Sequence, residues 1–347
     1  MAQNRQFIPL AQARAPFFVG VDVGGTNIKI GVVDDDGQPL SWTSIATEAE
    51  RGPQDAIGRI NLAMQKAIGE AGIKREAIAR VGLGTPGTMD VARGILLAPG
   101  NLPLWWNFAI RDALAEACGL PVTFANDARS AAYGEYWAGS GRVLHSMVLF
   151  TLGTGVGGGI VIGDLLVEGE NSAGSELGHL IIDCRDDARM CSCGQRGHVE
   201  GYASAPAVVK RTQELLETKR PSSLRTRIAG GEELTALMID EEAERGDALS
   251  LEIVLETARY LGIGIVSAMH AIDPSGVVIG GAMTFGEHHT ATGRKFLERV
   301  KQEVRARALP TLAERTVIDF ARLGGDAGFI GAAGLARRDH LRLNPQT

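Results

Sequence analysis

A carboxylate, two adjacent glycines, a hydroxyl and an ammonium fall within eight residues in Asp22-Val-Gly24-Gly25-Thr26-Asn-Ile-Lys29. Bare backbone N–H groups at Gly24 and Gly25 admit an anion that a Cβ would hold off. Asp22, Thr26 and Lys29 beside them suit a metal-bound phosphate chain. An ordinary hairpin with a Gly-Gly turn would explain the glycines equally well. A second copy of the arrangement favours the phosphate reading: Gly153-Thr154-Gly155-Val-Gly-Gly-Gly159 again stands between two apolar runs, Met147–Leu152 and Ile160–Ile162. Gly153, Gly155 and Gly158 also satisfy G-x-G-x-x-G, but the dinucleotide fold needs a helix directly after the glycines. Here Ile160-Val-Ile162 runs on as a strand into a Gly163-Asp164 turn. Two strand–glycine–strand turns point instead to two lobes gripping one phosphate tail.

Two further groups of residues carry chemistry. Asn126-Asp127 closes an apolar strand and opens an Ala-rich helix. Both residues are favoured helix N-caps, and a carboxylate at a strand end is also where a general base can take a hydroxyl proton. The two roles are compatible, with Asp127 as the candidate base. Downstream lie Glu176-Leu-Gly-His179 and Cys191-Ser-Cys193-Gly-Gln-Arg-Gly-His198-Val-Glu200. Cysteines separated by one residue make a strained disulfide, yet both can turn thiolates to one metal. His179, Cys191, Cys193 and His198 supply the four N/S ligands of a structural zinc site, although the spacing is not that of a common zinc finger. Two idle thiols beside surface histidines are the alternative.

The elements that must position these groups are legible as apolar runs. Strands are expected at Phe17–Asp22, Asn27–Val33, Arg80–Gly84, Pro121–Ala125, Ser146–Leu152, Gly157–Ile162, Gly276–Gly280 and Thr316–Phe320. Helical periodicity is clearest from Gln54 to Ala71, between Pro53 and Gly72, with further helices at Ile110–Cys118, Ala128–Trp137, Ala207–Glu217, Leu251–Ala271 and Gly328–Arg337. The charged stretch from Lys219 to Asp247 reads as an insertion without assignable chemistry. A chain of 347 residues fits two α/β lobes. The boundary is expected near Ala138–Gly141: residues 17–137 form the smaller lobe, completed by a C-terminal helix at 328–346, and residues 138–327 the larger, with the metal segment at 179–200. A net charge of −6 without a basic stripe argues against nucleic-acid binding. The greasiest segment carries Glu252, Glu256 and Arg259, which argues against a membrane span. Four scattered cysteines give no secreted disulfide framework, so a cytoplasmic protein is expected.

Taken in order, these segments resemble the ROK family of sugar kinases and repressors, from about Phe17 to Ala336. The resemblance rests on Asp22–Lys29, Gly84-Thr-Pro-Gly87, Gly100-Asn-Leu-Pro103, Trp106-Asn107, Asn126-Asp127, Gly153–Gly159, Glu176–His179, Cys191–Glu200 and Val278-Ile-Gly-Gly281. It implies an actin/hexokinase-like fold of two ribonuclease-H-like lobes with a central cleft, and transfer of phosphate from Mg-ATP to a hexose 6-hydroxyl. By residue, it places Asp22, Gly24, Gly25, Thr26 and Lys29 in the first phosphate motif and Gly153, Thr154 and Gly155 in the second. Gly280 and Gly281 match the segment against the adenosine. Asn101, Asn126, Asp127, Glu176, His179 and Glu200 match sugar contacts, with Asp127 as base and a structural zinc bracing the sugar pocket through His179. The family pattern C-x-C-G-x-x-G-C-x-E carries His198 in place of its third cysteine here, and imidazole is also a good zinc ligand.

Glucose is the expected hexose because Gly100–Asn107 and Asn126–Ala132 resemble the glucose-phosphorylating branch. N-acetylmannosamine, N-acetylglucosamine, fructose and allose kinases share the same polar set, and polyphosphate is an alternative donor. A sugar-sensing repressor would need a helix-turn-helix before the first glycine hairpin, and only sixteen residues precede Phe17. An actin-like assembly protein would not need the Glu-x-x-His and cysteine segments. Assembly into homodimers or homotetramers is expected by analogy with the family.

Overall fold

The computed structural model describes residues 5–100 and 102–345. In chain order its strands are β1 (Phe17–Val23), β2 (Asn27–Val33), β3 (Pro39–Ala46), β4 (Ile78–Thr85), β5 (Thr88–Asp90), β6 (Ile95–Ala98), β7 (Val122–Asn126), β8 (Ser146–Leu152), β9 (Val156–Ile162), β10 (Leu165–Leu166), β11 (Gly276–Gly281) and β12 (Val317–Phe320). The α-helices are α1 (Pro53–Glu70), α2 (Ile110–Cys118), α3 (Asp127–Ala138), α4 (Glu200–Ala203), α5 (Ala205–Glu217), α6 (Leu224–Ala229), α7 (Ala236–Glu244), α8 (Ala248–Ile272), α9 (Ala291–Arg307), α10 (Pro310–Arg315) and α11 (Ala327–Leu343).

Two five-stranded sheets share one strand order. The first runs β3-β2-β1-β4-β7 and the second β10-β9-β8-β11-β12. In the first, β1 is antiparallel to β2 and parallel to β4, and β4 is parallel to β7. In the second, β8, β11 and β12 are parallel in the same way. Each sheet thus has a glycine turn between its first two strands in sequence, as the duplicated motif predicts. The chain divides into two compact units. One comprises the chain up to Val143, Gly159–Ser175 and everything from Arg322 on; the other comprises Leu144–Gly158 and Glu176–Ala321.

In the first unit, alternation along β1 assigns its two faces. Val19, Val21 and Val23 join Ile57, Ile60 and Met64 of α1 and Leu114 of α2 in one core. Phe18 faces Phe329, Ile330 and Ala333 of α11 in another. Gly20 and Gly82, on β1 and β4, lie directly under α11: a Cβ on either would fall 1.8 Å from the carbonyl oxygen of Phe329 or Ala332, respectively. The glycines therefore let a helix backbone rest on a strand backbone.

The second unit packs α8 against α4, α5, α7 and α9. Residues 219–247 hold two short helices, α6 and α7. Within them Arg227 of α6 pairs with Glu232 at 2.6 Å, and with Glu241 and Glu242 of α7 at 2.6 and 3.3 Å. Among the described residues no helix is long and apolar enough to cross a membrane.

Candidate active site

In the first unit, the C-terminal ends of the parallel strands β1, β4 and β7 form one edge, the usual place for ligands in such sheets. The β1–β2 turn closes through Gly24 N–H to the Asn27 carbonyl at 2.9 Å. Thr47, just past β3, braces it twice. Its N–H donates to the Thr26 carbonyl at 2.8 Å and its hydroxyl to the Gly24 carbonyl at 2.7 Å. Gly25 and Thr26 at the tip are exposed. Asp22 stands opposite Lys29 in the ladder. Burial, and then the charge of Asp127, push the Asp22 carboxyl up to about 7, with Lys29 opposing. A dication beside it would restore the ionised form at any pH near neutral. The Lys29 ammonium donates to the Gly325 carbonyl at 2.7 Å, just before α11. Gly328, in the first turn of α11, abuts Asp22, since a Cβ there would lie 2.3 Å from its Oδ2.

Asn126 ends β7 and caps α3, its side-chain oxygen accepting from the N–H groups of Ala128 and Arg129 at 3.0 and 3.2 Å. Asp127 is the first residue of the helix, and its Oδ1 accepts from Ala128 N–H at 2.8 Å. Capping therefore falls to Asn126 and leaves Asp127 at the strand edge, near enough to Asp22 to raise its carboxyl. Asn101 lies outside the described residues.

The second unit assembles another group. Gly153 N–H bonds the Gly155 carbonyl at 3.0 Å in the β8–β9 turn. Gly280 and Gly281 end β11 beside Thr151 and Leu152, at the base of that turn. Gly281 has φ +102, and a Cβ there would meet the Leu152 carbonyl oxygen at 2.2 Å. The Glu176–His179 turn closes through His179 N–H to the Glu176 carbonyl at 3.1 Å. Gly178 inside it permits backbone contact, because a Cβ would fall 2.0 Å from the Val156 carbonyl oxygen. Glu176 is exposed and Glu200 buried.

His179, Cys191, Cys193 and His198 converge, with their ligand atoms all within 4.8 Å of one another. A turn with Cys191 N–H on the Gln195 carbonyl at 2.8 Å and Gly194 N–H on the Cys191 carbonyl at 3.0 Å presents both sulfurs to one side. The two His Nδ1 atoms are 3.3 Å apart, Cys191 Sγ is 3.7 Å from His179 Nδ1, and Cys193 Sγ is 3.3 Å from His198 Nδ1. A tetrahedron with ordinary Zn–N and Zn–S lengths has edges of about 3.3 Å between nitrogens and about 3.6 Å between nitrogen and sulfur. The donor set and its spacing fit zinc, and His198 takes the place of the family's third cysteine without opening the cluster. Burial pushes the Cys191 thiol up to about 12, so a metal is what would hold it as thiolate. Because both Nδ1 atoms face the cluster, His179 keeps Nε2 for another partner.

Residues that no motif points to are Thr47, Ser192 and Gly328. Thr47 becomes readable only once β3 is recognised as a third strand. Ser192 gives its hydroxyl hydrogen to Glu200.

The ROK family pattern matches residues 18–339. A glucokinase of Halalkalibacterium halodurans is 34% identical over 93% of this chain and 95% of its own length. A ROK hexokinase from Thermus thermophilus superposes with a TM-score of 0.77 at 32% identity, covering 93% of this chain and 98% of that one. A ROK family glucokinase from Streptomyces griseus, solved with glucose and AMPPNP, gives 0.73 at 31% identity over 93% and 99% of the two chains. The likeness carries the fold with it: two lobes, each built on a mixed α/β sheet, of the actin/hexokinase type.

Proposed function

The chain belongs to the ROK family, and on that premise we propose that it transfers the γ-phosphoryl group of ATP to the 6-hydroxyl of glucose. The observation that carries this reading is the repeated strand order, each sheet holding a glycine turn between its first two strands, with Asp127 beside Asp22 at the edge of the first. The glucose and AMPPNP bound by the Streptomyces griseus relative support the choice of hexose and donor.

Phosphoryl transfer asks little covalent work of a protein; positioning and charge stabilisation supply most of the acceleration. In this reading Gly24 and Gly153 close the two turns, the N–H groups of Gly25, Thr26, Thr154 and Gly155 meet the phosphate oxygens, and Gly280-Gly281 lies along the adenosine. Asp127 accepts the proton as the 6-oxygen bonds to the γ-phosphorus and the bond to the β,γ-bridging oxygen breaks, releasing ADP. Asp22 would hold the Mg²⁺ that accompanies ATP, directly or through water, and the metal would supply neutralisation of charge on the transferred group. Asn101, Asn126, Glu176, Glu200 and Nε2 of His179 hold sugar hydroxyls; His179, Cys191, Cys193 and His198 would hold zinc, which would keep that imidazole rigid. Cytoplasmic location and homo-oligomeric assembly belong to the same reading.

A coupled assay of ADP release across a panel of hexoses tests the substrate. Turnover should be highest with glucose, and nucleotide hydrolysis that ignores every sugar would refute the kinase reading. Asp127→Asn should lower kcat by about 10²–10⁴-fold while sugar binding persists. Near-normal turnover in that variant would remove Asp127 from its role.

A further inference from the structure

Glu200 is 9% exposed at the first position of α4, and its two oxygens serve two different segments. Oε2 accepts the N–H of Val156, at the end of the β8–β9 turn, at 2.9 Å. Oε1 accepts the hydroxyl of Ser192, and Cys191 Sγ stands 3.4 Å from it. The backbone adds a second tie five residues on, where Ala205 N–H donates to the Gly153 carbonyl at 2.8 Å. Gly155 completes the fit, because a Cβ there would lie 2.6 Å from Glu200 Oε2. The glycine turn is thus held from outside by the segment that carries the cysteines.

We propose that Glu200 is a positioning residue for the nucleotide: it is the strut through which the Cys191–His198 loop sets the Gly153–Val156 turn, so that affinity for the ATP phosphates depends on it even with no sugar bound. The inference rests on the reading of Gly153–Gly155 as a phosphate cradle, and it adds a role to the sugar contact proposed for the same side chain. Charge and geometry make opposite predictions here. Were Glu200 only a negative charge near a triphosphate, neutralising it would tighten nucleotide binding. As a strut, its value lies in accepting the Val156 N–H. A glutamine can keep that bond through its amide oxygen and turn its NH₂ toward Ser192, whose hydroxyl can accept as well as donate.

The test is calorimetric titration of Mg-AMPPNP into the zinc-loaded protein without sugar, for wild type, Glu200→Ala, Glu200→Gln and Gly155→Ala, with metal content and melting temperature followed for each. Glu200→Ala should bind about tenfold more weakly. Glu200→Gln should stay within about threefold of wild type. Gly155→Ala, which displaces the carboxylate from the other side, should resemble Glu200→Ala. Wild-type affinity in folded Glu200→Ala, or tighter binding in Glu200→Gln, would overturn the proposal. If Glu200→Ala does not fold, undiminished affinity in Gly155→Ala overturns it instead. A wild-type protein that binds no nucleotide would sink the kinase reading beneath it.

Discussion

Glu135, in the last turn of α3, is fully buried, and backbone N–H groups supply its hydrogen bonds. Ser140 N–H reaches Oε2 at 2.9 Å, Leu323 N–H reaches Oε1 at 2.6 Å, and Arg322 N–H lies 3.0 and 3.1 Å from the two oxygens. Two of these donors belong to the segment that leads into α11. Glu135→Ala leaves three backbone donors without that acceptor, two on the half-buried Ser140 and Leu323 and one on the exposed Arg322, at up to about 1–3 kcal/mol each where water does not reach them. Relief from burying a carboxylate, and water entering the vacated space, offset part of this. A net loss of about 3 kcal/mol is expected from these terms. The four tryptophans, at 42, 105, 106 and 137, all lie in the first unit, so their fluorescence in urea reports that unit alone. The midpoint should fall by about 1–1.5 M, taking a slope of about 2–3 kcal/mol/M. Glu135→Gln keeps one acceptor oxygen and should lose about half as much. A shift below about 0.3 M for alanine would refute the claim that this carboxylate anchors the return to α11.

Three further outcomes follow from other sites. Purified protein should carry about one zinc per chain, and His179→Ala or Cys193→Ser should lose it, while His198→Cys keeps it; metal analysis finding none in active protein would end the zinc assignment. On α7, burial and then the charges of Glu244 and Glu241 raise the Asp240 carboxyl from 3.8 to about 6, and its Oδ1 has no hydrogen-bond partner. A folded pKa above the unfolded one means that its contribution is complete below about pH 4 and is lost as the pH rises through about 6. Asp240→Asn should therefore stabilise the protein by about 1 kcal/mol at pH 8, after discounting for partial exposure. Calorimetric scans showing the same difference at pH 4 and pH 8 would contradict that sign. Gly331→Ala would place a Cβ 1.6 Å from the Ser130 carbonyl oxygen, forcing α11 off α3. It should cost more than the about 1–3 kcal/mol of ordinary overpacking, and a wild-type melting temperature would show that the helices can separate freely.

Elements bounded by glycine were readable from sequence alone. β2 and β8 match their expected spans because apolar runs stop at glycine turns. β3 was not readable: it starts at Pro39 and carries Ser41, Thr43 and Ser44 among its apolar positions, which blurs the alternation. α9 is rich in Arg, Lys and Glu, and its buried Phe296, Leu297, Val300 and Val304 are too sparse to mark a helix against so much charge. The metal ligands stood out because cysteine and histidine are rare and close in sequence. The bonds that brace the site carry no local signal, since Glu200 reaches Val156 across 44 residues and Arg322 reaches Glu135 across 187.

The dependence of β1 and β4 on α11 has a consequence for biosynthesis. Gly20 and Gly82 leave bare backbone where Phe329 and Ala332 must dock, so β1 and β4 wait for a helix made much later in the chain. Until it emerges, Phe18 and Val33 lack the Phe329, Ile330, Ala333 and Ala336 side of their cluster and offer chaperones a greasy sheet surface. A ribosome stalled anywhere before Ala327 would carry an unfinished first unit, however long its nascent chain had become.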